Sequence, residues 1–206
     1  MKCSLRHERA ARERGCARVA GIDEAGRGPL AGPVVAAVVI LPDKFRHRTL
    51  TDSKQLPAAE RERIYGELTR RSEISWAVAV VDVEEIDRIN ILRASHEAMR
   101  RALTALSVPP DHVLIDGLPV RPFPIEQTAL VGGDALSFSI AAASVIAKVT
   151  RDRIMIEMDA CHPGYEFRRH KGYGTPLHLA RLREYGPCPI HRRTFSPVHQ
   201  SLFPFA

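Results

Sequence analysis

Arg18-Val-Ala-Gly-Ile-Asp-Glu-Ala-Gly-Arg-Gly-Pro-Leu-Ala-Gly-Pro-Val-Val-Ala-Ala-Val-Val-Ile40 is the stretch that decides the fold. Arg18–Ile22 reads as a strand running into the glycine turn Gly26-Arg27-Gly28-Pro29. Val34–Ile40 is apolar without alternation, which predicts a strand buried on both faces. Such a strand requires a layer above it and a layer below it. Working outward, Trp76–Val81 predicts a third strand, and His112–Asp116 a fourth that Gly117 and a Pro-rich turn to Pro124 terminate. Glu126–Val131 predicts a fifth. Helices are expected over 4–15 (short, Arg-rich, on the surface), over 84–106, from Ala135 to about Asp159, and near Pro176–Tyr185. In the second of these, Ile89, Leu92, Met99, Leu103 and Leu106 recur at three- and four-residue steps. The expected class is α/β, with a helical C-terminal region and neither an internal repeat nor a linker that would split the chain.

The 206 residues are 45% hydrophobic and 26% charged, the balance of a soluble globular chain, which excludes a disordered polymer, a collagen or a repeat array. No apolar run approaches the ~18–20 residues of a membrane span. The net charge of +6 is unevenly spread: residues 1–20 carry six Lys/Arg and two acids, residues 161–206 seven and two, and the middle is mildly acidic. Basic ends around an acidic centre suit a chain that holds a polyanion while metal chemistry is done on it. The 25 Arg against 5 Lys fit phosphate recognition and a coding bias equally well. Cys3, Cys16, Cys161 and Cys188 form no C-x-x-C pair, and the start lacks the apolar region of a secretory leader. Free thiols in a reducing, cytoplasmic compartment are expected. Acids at Glu8 and Glu13 speak against a transit peptide.

A few acids sit where acids are awkward. Asp23 and Glu24 end a buried strand, Asp116 ends another before Gly117, and Asp134 follows Gly132-Gly133 and opens a helix. Singly, Asp134 has the plain explanation of a helix N-cap and Asp116 that of a turn residue. Together, strand-end acids beside glycines can converge on one edge of a sheet. Converging carboxylates repel unless a cation or a proton holds them, and all-oxygen ligation favours Mg²⁺ or Mn²⁺ over zinc. Two such ions about 3.5–4 Å apart can activate water and stabilise the leaving oxygen of a phosphodiester. Neighbours on a strand face opposite ways, so Asp23 and Glu24 reach one ion only if the chain leaves the pleat.

Gly21-Ile-Asp-Glu-Ala-Gly-Arg-Gly-Pro-Leu-Ala-Gly-Pro-Val34 resembles the leading motif of the ribonuclease HII family. Asp52-Ser-Lys-Gln-Leu56, Ile115-Asp-Gly117, the segment Ser139–Asp152, His170-Lys-Gly-Tyr-Gly-Thr175 and His191-Arg-Arg-Thr-Phe-Ser-Pro-Val198 continue the likeness in order. The resemblance implies a ribonuclease H-like mixed five-stranded sheet flanked by helices, with a basic segment 1–17, a catalytic domain 18–198 (helical from about 160) and a tail 199–206. It implies metal-dependent cleavage of RNA in RNA–DNA hybrids and 5′ of single ribonucleotides in duplex DNA, leaving 5′-phosphate and 3′-hydroxyl ends. Ribonucleotide excision repair and RNA primer removal are the expected roles, and a monomer the expected state.

By position, the family's metal-site carboxylates fall on Asp23, Glu24, Asp116 and Asp134, with Asp23 bridging two ions and Glu24 the weakest inner-shell candidate. Gly26-Arg27-Gly28 matches the loop that senses the 2′-hydroxyl, the group that separates RNA from DNA. Tyr173 matches the tyrosine that stacks on the sugar after the ribonucleotide. Ser53, Lys54, Ser144, Lys148, Arg168, Arg169 and Lys171 are candidate phosphate contacts; for Arg168 and Arg169 a solvated charge run explains the residues equally. Gly132 departs from the family, where a lysine is common.

Other features carry less. Cys188-x-x-His191 with Cys161-His162 has no regular zinc spacing. His96 on the helical stripe reads as a core-edge histidine, and Gly26-Arg-Gly-Pro is not a phosphate-binding P-loop. Gln200–Phe205 loosely resembles peptides that dock on sliding clamps; a tail packing on its own domain is the preferred explanation. A resolvase, integrase or transposase could use the same sheet and acids on DNA alone, but needs neither Gly26–Gly28 nor Tyr173. A non-catalytic hybrid binder would have lost a carboxylate, and all four are present.

Overall fold

The computed structural model describes residues 3–202. Its elements are α1 (Arg6–Glu13), β1 (Val19–Ala25), β2 (Val34–Ile40), α2 (Ala58–Arg70), β3 (Ser75–Val81), α3 (Val83–Ile89), α4 (Ile91–Thr104), β4 (His112–Asp116), β5 (Gln127–Leu130), α5 (Phe138–Cys161), α6 (Phe167–His170), α7 (Pro176–Tyr185) and α8 (Ser196–Leu202). The strands form one mixed sheet in the order β3-β2-β1-β4-β5. β1 runs antiparallel to β2 and parallel to β4. This is the flanked five-stranded sheet the sequence predicts.

The apolar run of β2 has the reason anticipated for it. Val34, Ala36 and Val38 pack with Ile86 of α3 and Ala94, Ala98 and Met99 of α4, whereas Val35, Ala37 and Val39 pack with α5 and with Ile64 and Leu68 of α2. Each fully buried Val contributes about 1.5–3 kcal/mol relative to exposure. The same alternation governs β1 and β4. Ala20, Ile22, Val113 and Ile115 face α3 and α4, while Val19 and Leu114 pack with Ile140 of α5. One residue beyond, parity puts Asp23 and Asp116 on the α5 face and Glu24 on the opposite one.

Several expectations are corrected. The helix over 84–106 is two helices, because Asn90 takes a left-handed φ of 69° and its side chain caps the Arg93 N–H of α4. Both halves face the same sheet, but the stripe does not pass through Leu92, which is exposed; Ile91 packs against the cluster in its place. The helix expected from Ala135 begins at Phe138, after a 3-10 turn over Gly133–Ala135, and its cap is Ser137, which accepts from the Ile140 N–H. Asp134 therefore lies in the turn and does not cap α5. The helix near the N-terminus is not only a surface element: Ala11 and Glu8 are buried. Glu8 Oε1 accepts from Ser137 Oγ (2.6 Å), Ser139 N (2.9 Å) and Ser139 Oγ (2.7 Å), pinning the first turn of α5.

Three helices were not foreseen. In α2 only Ile64 and Leu68 are buried, a stripe too thin to stand out among its charges. The short α6 carries Arg168 and Arg169. Gln200–Leu202 of the candidate clamp motif end α8, and Phe203–Phe205 lie outside the described residues. No helix among the described residues is long and apolar enough to cross a membrane.

Candidate active site

The carboxylates are assembled by the parallel pairing of β1 with β4. Ile22 lies beside Ile115, so the next residues, Asp23 and Asp116, emerge together on the α5 face. Asp116 pairs with Leu130 of β5, and the chain then turns through left-handed Gly132 to bring Asp134 back. Asp116 Oδ1 accepts from the Gly133 N–H at 2.7 Å, which fixes that turn on the strand end. One oxygen each of Asp23, Asp116 and Asp134 lie within 4.8 Å of one another, the one group of three metal-capable side chains among the described residues. Glu24 is not in that group. The chain stays in the pleat, and Glu24 Oε1 instead accepts from Arg27 Nη1 at 3.3 Å.

Burial, then the charges of Glu24 and Asp116, push the Asp23 carboxyl well above its ordinary value. Burial, then Asp116 and Asp52, hold Asp134 at about 6. Glu24 is raised by burial while Arg27 pulls it down. For Lys54 burial opposes the charge, but Asp23, Asp52 and Asp134 outweigh it and raise the pKa; its Nζ stands 4.0 Å from Asp134 Oδ2. Two buried acids and a half-buried third with one exposed lysine are short of positive charge, and an all-oxygen donor set suits a divalent cation. The sign of the pH dependence follows. Folded carboxyls with raised pKa bind protons that the unfolded chain, at an ordinary 3.8, does not. For Asp134 the stabilisation is full below about 4 and is lost as pH rises through about 6, and Asp23 acts in the same direction. A cation replaces those protons, so the rise in melting midpoint on adding Mg²⁺ should be small at pH 4 and grow through pH 6–7. An increment independent of pH would contradict this.

The other sequence candidates divide. Ser53 and Ser144 are buried and their hydroxyls bond each other at 2.8 Å, with Ser144 also hydrogen-bonded to Asp23. Lys148 donates to Asp152 at 2.7 Å and lies 5.5 Å from the Tyr173 ring centre. Tyr173 is 40% exposed. It borders a groove of about 540 Å³ lined also by Arg61, Lys148, Asp152, Arg169 and Lys171. Arg168 and Arg169 project to solvent, nearest Asp159 and Glu166. Lys171 Nζ donates to the Arg168 carbonyl. Sequence reasoning missed Asp52, whose charge bears on Asp134; it stood in the quoted Asp52-Ser-Lys motif without a role. It also missed Arg151 and Arg192, both fully buried behind the Gly26–Gly28 loop.

Acids converging on an all-oxygen donor set at the end of a mixed sheet define a metal-dependent enzyme. Comparison with known proteins gives the family. The profile described as Ribonuclease HII matches residues 20–198. Ribonuclease HII of Myxococcus xanthus (strain DK1622) is 52% identical over 202 residues, 98% of this chain and 69% of that protein. The crystal structure of ribonuclease H2 from Pyrococcus horikoshii OT3 superposes with a TM-score of 0.74 at 30% identity, covering 89% of this chain and 96% of that one. The RNase HII of a PCNA:RNase HII complex from Archaeoglobus fulgidus superposes at 0.69 with 27% identity, covering 86% and 95%. The chain belongs to the ribonuclease HII family. It is a metal-dependent endoribonuclease acting on RNA–DNA hybrids.

Proposed function

We propose that this enzyme cuts on the 5′ side of single ribonucleotides in duplex DNA as well as within long hybrids, with two divalent cations, Mg²⁺ or Mn²⁺, and leaves 5′-phosphate and 3′-hydroxyl ends. The observation that carries the proposal is the approach of Asp23, Asp116 and Asp134 oxygens to within 4.8 Å, one strand end away from the Gly26-Arg27-Gly28 turn. These carboxylates, with Glu24 nearby, would hold the ions. When bound, the ions supply an activated water and stabilise the leaving 3′-oxygen. Gly26–Gly28 offers backbone groups to the ribonucleotide sugar, where the 2′-hydroxyl is both donor and acceptor. Arg27, 53% exposed in its side chain, is free to turn to the adjacent phosphate. Tyr173 receives the following deoxyribose, and Lys54, Lys148, Arg169 and Lys171 track the backbone.

The test is DNA with one embedded ribonucleotide, incubated with Mg²⁺ or Mn²⁺. Cleavage leaving the ribonucleotide at the 5′ end of the downstream strand is expected, and none on a ribonucleotide-free duplex. Cutting of the all-DNA control would favour a resolvase-like activity. Tyr173→Ala should lose about 1–2 kcal/mol of stacking, roughly five- to thirtyfold in kcat/KM, on the single ribonucleotide. Long hybrids, with many equivalent registers, should lose less. Equal losses on both substrates would remove the junction role. Excision of misincorporated ribonucleotides and RNA primer removal would use this activity. The relative complexed with PCNA supports a second, separable proposal, clamp docking through Gln200–Phe205, which deletion of residues 200–206 and a clamp pull-down would test.

A further inference from the structure

Arg151 and Arg192 are the largest fully buried side chains, each 0% exposed. Among the described residues neither forms an ion pair, and every hydrogen bond they donate from the side chain goes to a backbone carbonyl. Arg192 donates from Nε to Gly32 O (2.9 Å), from Nη1 to Arg27 O (3.0 Å), and from Nη2 to Gly26 O (2.6 Å), Gly32 O (2.8 Å) and Pro33 O (3.2 Å). Arg151 donates from Nε to Pro33 O (2.9 Å), from Nη2 to Ala31 O (3.1 Å) and from Nη1 to Lys171 O (3.0 Å). The two guanidinia share one acceptor, Pro33 O. Together they tie the segment 26–33 to the loop that carries Tyr173.

Other contacts place the two loops in the same register. Leu30 N–H donates to Gly172 O and Arg192 N–H to Leu30 O, both at 2.8 Å. Arg151 lies 5.8 Å from the Tyr173 ring centre. At Gly26, with φ +103°, a Cβ would come within 2.2 Å of Arg151 Nε, so the turn is moulded onto the buried charge. Burying a guanidinium costs several kcal/mol, and here backbone carbonyls offset it, joined by the ring faces of Tyr173 (5.8 Å from Arg151) and Phe195 (5.0 Å from Arg192) and by no paired carboxylate. A fastening that served stability only would be met more cheaply by neutral donors. A planar fork with five fixed donors does what a neutral group cannot: it holds several carbonyls of two loops at set mutual distances.

We propose that Arg151 and Arg192 are positioning residues that set the spacing between the Gly26–Gly28 loop and Tyr173, and so determine selectivity for an isolated ribonucleotide. The proposal rests on the roles given to those two loops above. With a single ribonucleotide only one register is productive, the ribose at one loop and the next deoxyribose at the other. A long hybrid presents ribose in every register and tolerates a shifted spacing.

The experiment compares wild type, Arg192→Lys and Arg151→Lys on a duplex with one ribonucleotide and on a long RNA–DNA hybrid, well below each melting midpoint. Lysine keeps the charge but cannot span the carbonyls. The ratio of kcat/KM, single ribonucleotide over long hybrid, should fall at least roughly tenfold in both variants, the scale set by sub-ångström misplacement. Equal losses on both substrates, or no change in the ratio, would overturn the positioning role while leaving the cleavage activity standing. A wild type that cannot cut the single-ribonucleotide duplex would overturn the reading beneath it, and this inference with it. Should the variants fail to fold, amide exchange in the wild type with EDTA decides. Binding a single-ribonucleotide duplex, relative to all-DNA duplex, should protect 26–33 and 171–175 together. Protection of one loop alone would overturn the proposal.

Discussion

Asp23→Asn is expected to remove cleavage by at least on the order of 10³-fold in kcat, to leave metal-free binding of hybrid intact, and to keep or raise the melting midpoint without metal. The activity loss follows from position. Asp23 is 4% exposed, lies in the central strand beside Asp116, and is one of the three acids whose oxygens fall within 4.8 Å. The amide keeps the shape but neither the charge nor the second anionic oxygen that a shared ligand needs. The stability gain follows from the raised pKa of Asp23, caused first by burial and then by Glu24 and Asp116. Above its folded pKa the metal-free chain carries a buried charge among like charges, which Asn removes. The gain should therefore be small at acid pH and grow as pH rises. Purified variant, single-turnover cleavage, binding in EDTA and melting at two pH values check all three parts. Full activity in a folded variant would end the assignment of Asp23 to the metal site.

How much of this could be read from residues alone depended on whether a residue's surroundings are local. The run Val34–Ile40 announced a strand covered on both faces, because both α4 and α5 had to meet apolar side chains there. The acids at 23, 116 and 134 stood out because each ends a strand or follows glycines, and a sheet brings strand ends together. Strand parity already set Glu24 apart from Asp23, and in the structure Glu24 turns to Arg27 at 3.3 Å. What stayed hidden was set by partners far along the chain. Glu8 reads as one acid in a basic segment until Ser137 and Ser139 close on it. Nothing local marks Arg151 and Arg192 as buried among 25 arginines, since their acceptors are carbonyls, which every sequence has. Asn90 lay between Ile89 and Leu92, whose spacing continues a helical period in sequence, so its left-handed turn left no gap in the pattern; in the structure Leu92 is exposed and Ile91 packs inward.

Gly21→Ala should be the most damaging single-methyl change in the fold. A Cβ there would stand 2.2 Å from the Ser139 carbonyl carbon, 2.3 Å from Ile140 N and 2.6 Å from Ser139 O. These are backbone atoms of the first turn of α5, so no side chain can swing aside. Neither partner moves freely. β1 is hydrogen-bonded on both edges, to β2 and to β4, and Glu8 pins Ser137 and Ser139. Overpacking a core costs about 1–3 kcal/mol where neighbours can adjust; here about 3 kcal/mol or more is expected. That is a fall of about 6–12 °C in melting midpoint for a chain of this size, or loss of soluble protein. Cleavage should fall as well at temperatures where the variant is folded, since Asp23 lies two residues beyond Gly21 and Asp134 just before α5, so separating the two elements opens the carboxylate cluster. Gly28→Ala is the matching control: nothing lies within 4 Å of a Cβ there. It should leave the melting midpoint within about 1 °C of wild type, and any loss of cleavage should appear as weaker use of the ribonucleotide. Stability lost at Gly28 and kept at Gly21 would overturn the close approach of β1 to α5 on which the placement of Asp23 depends.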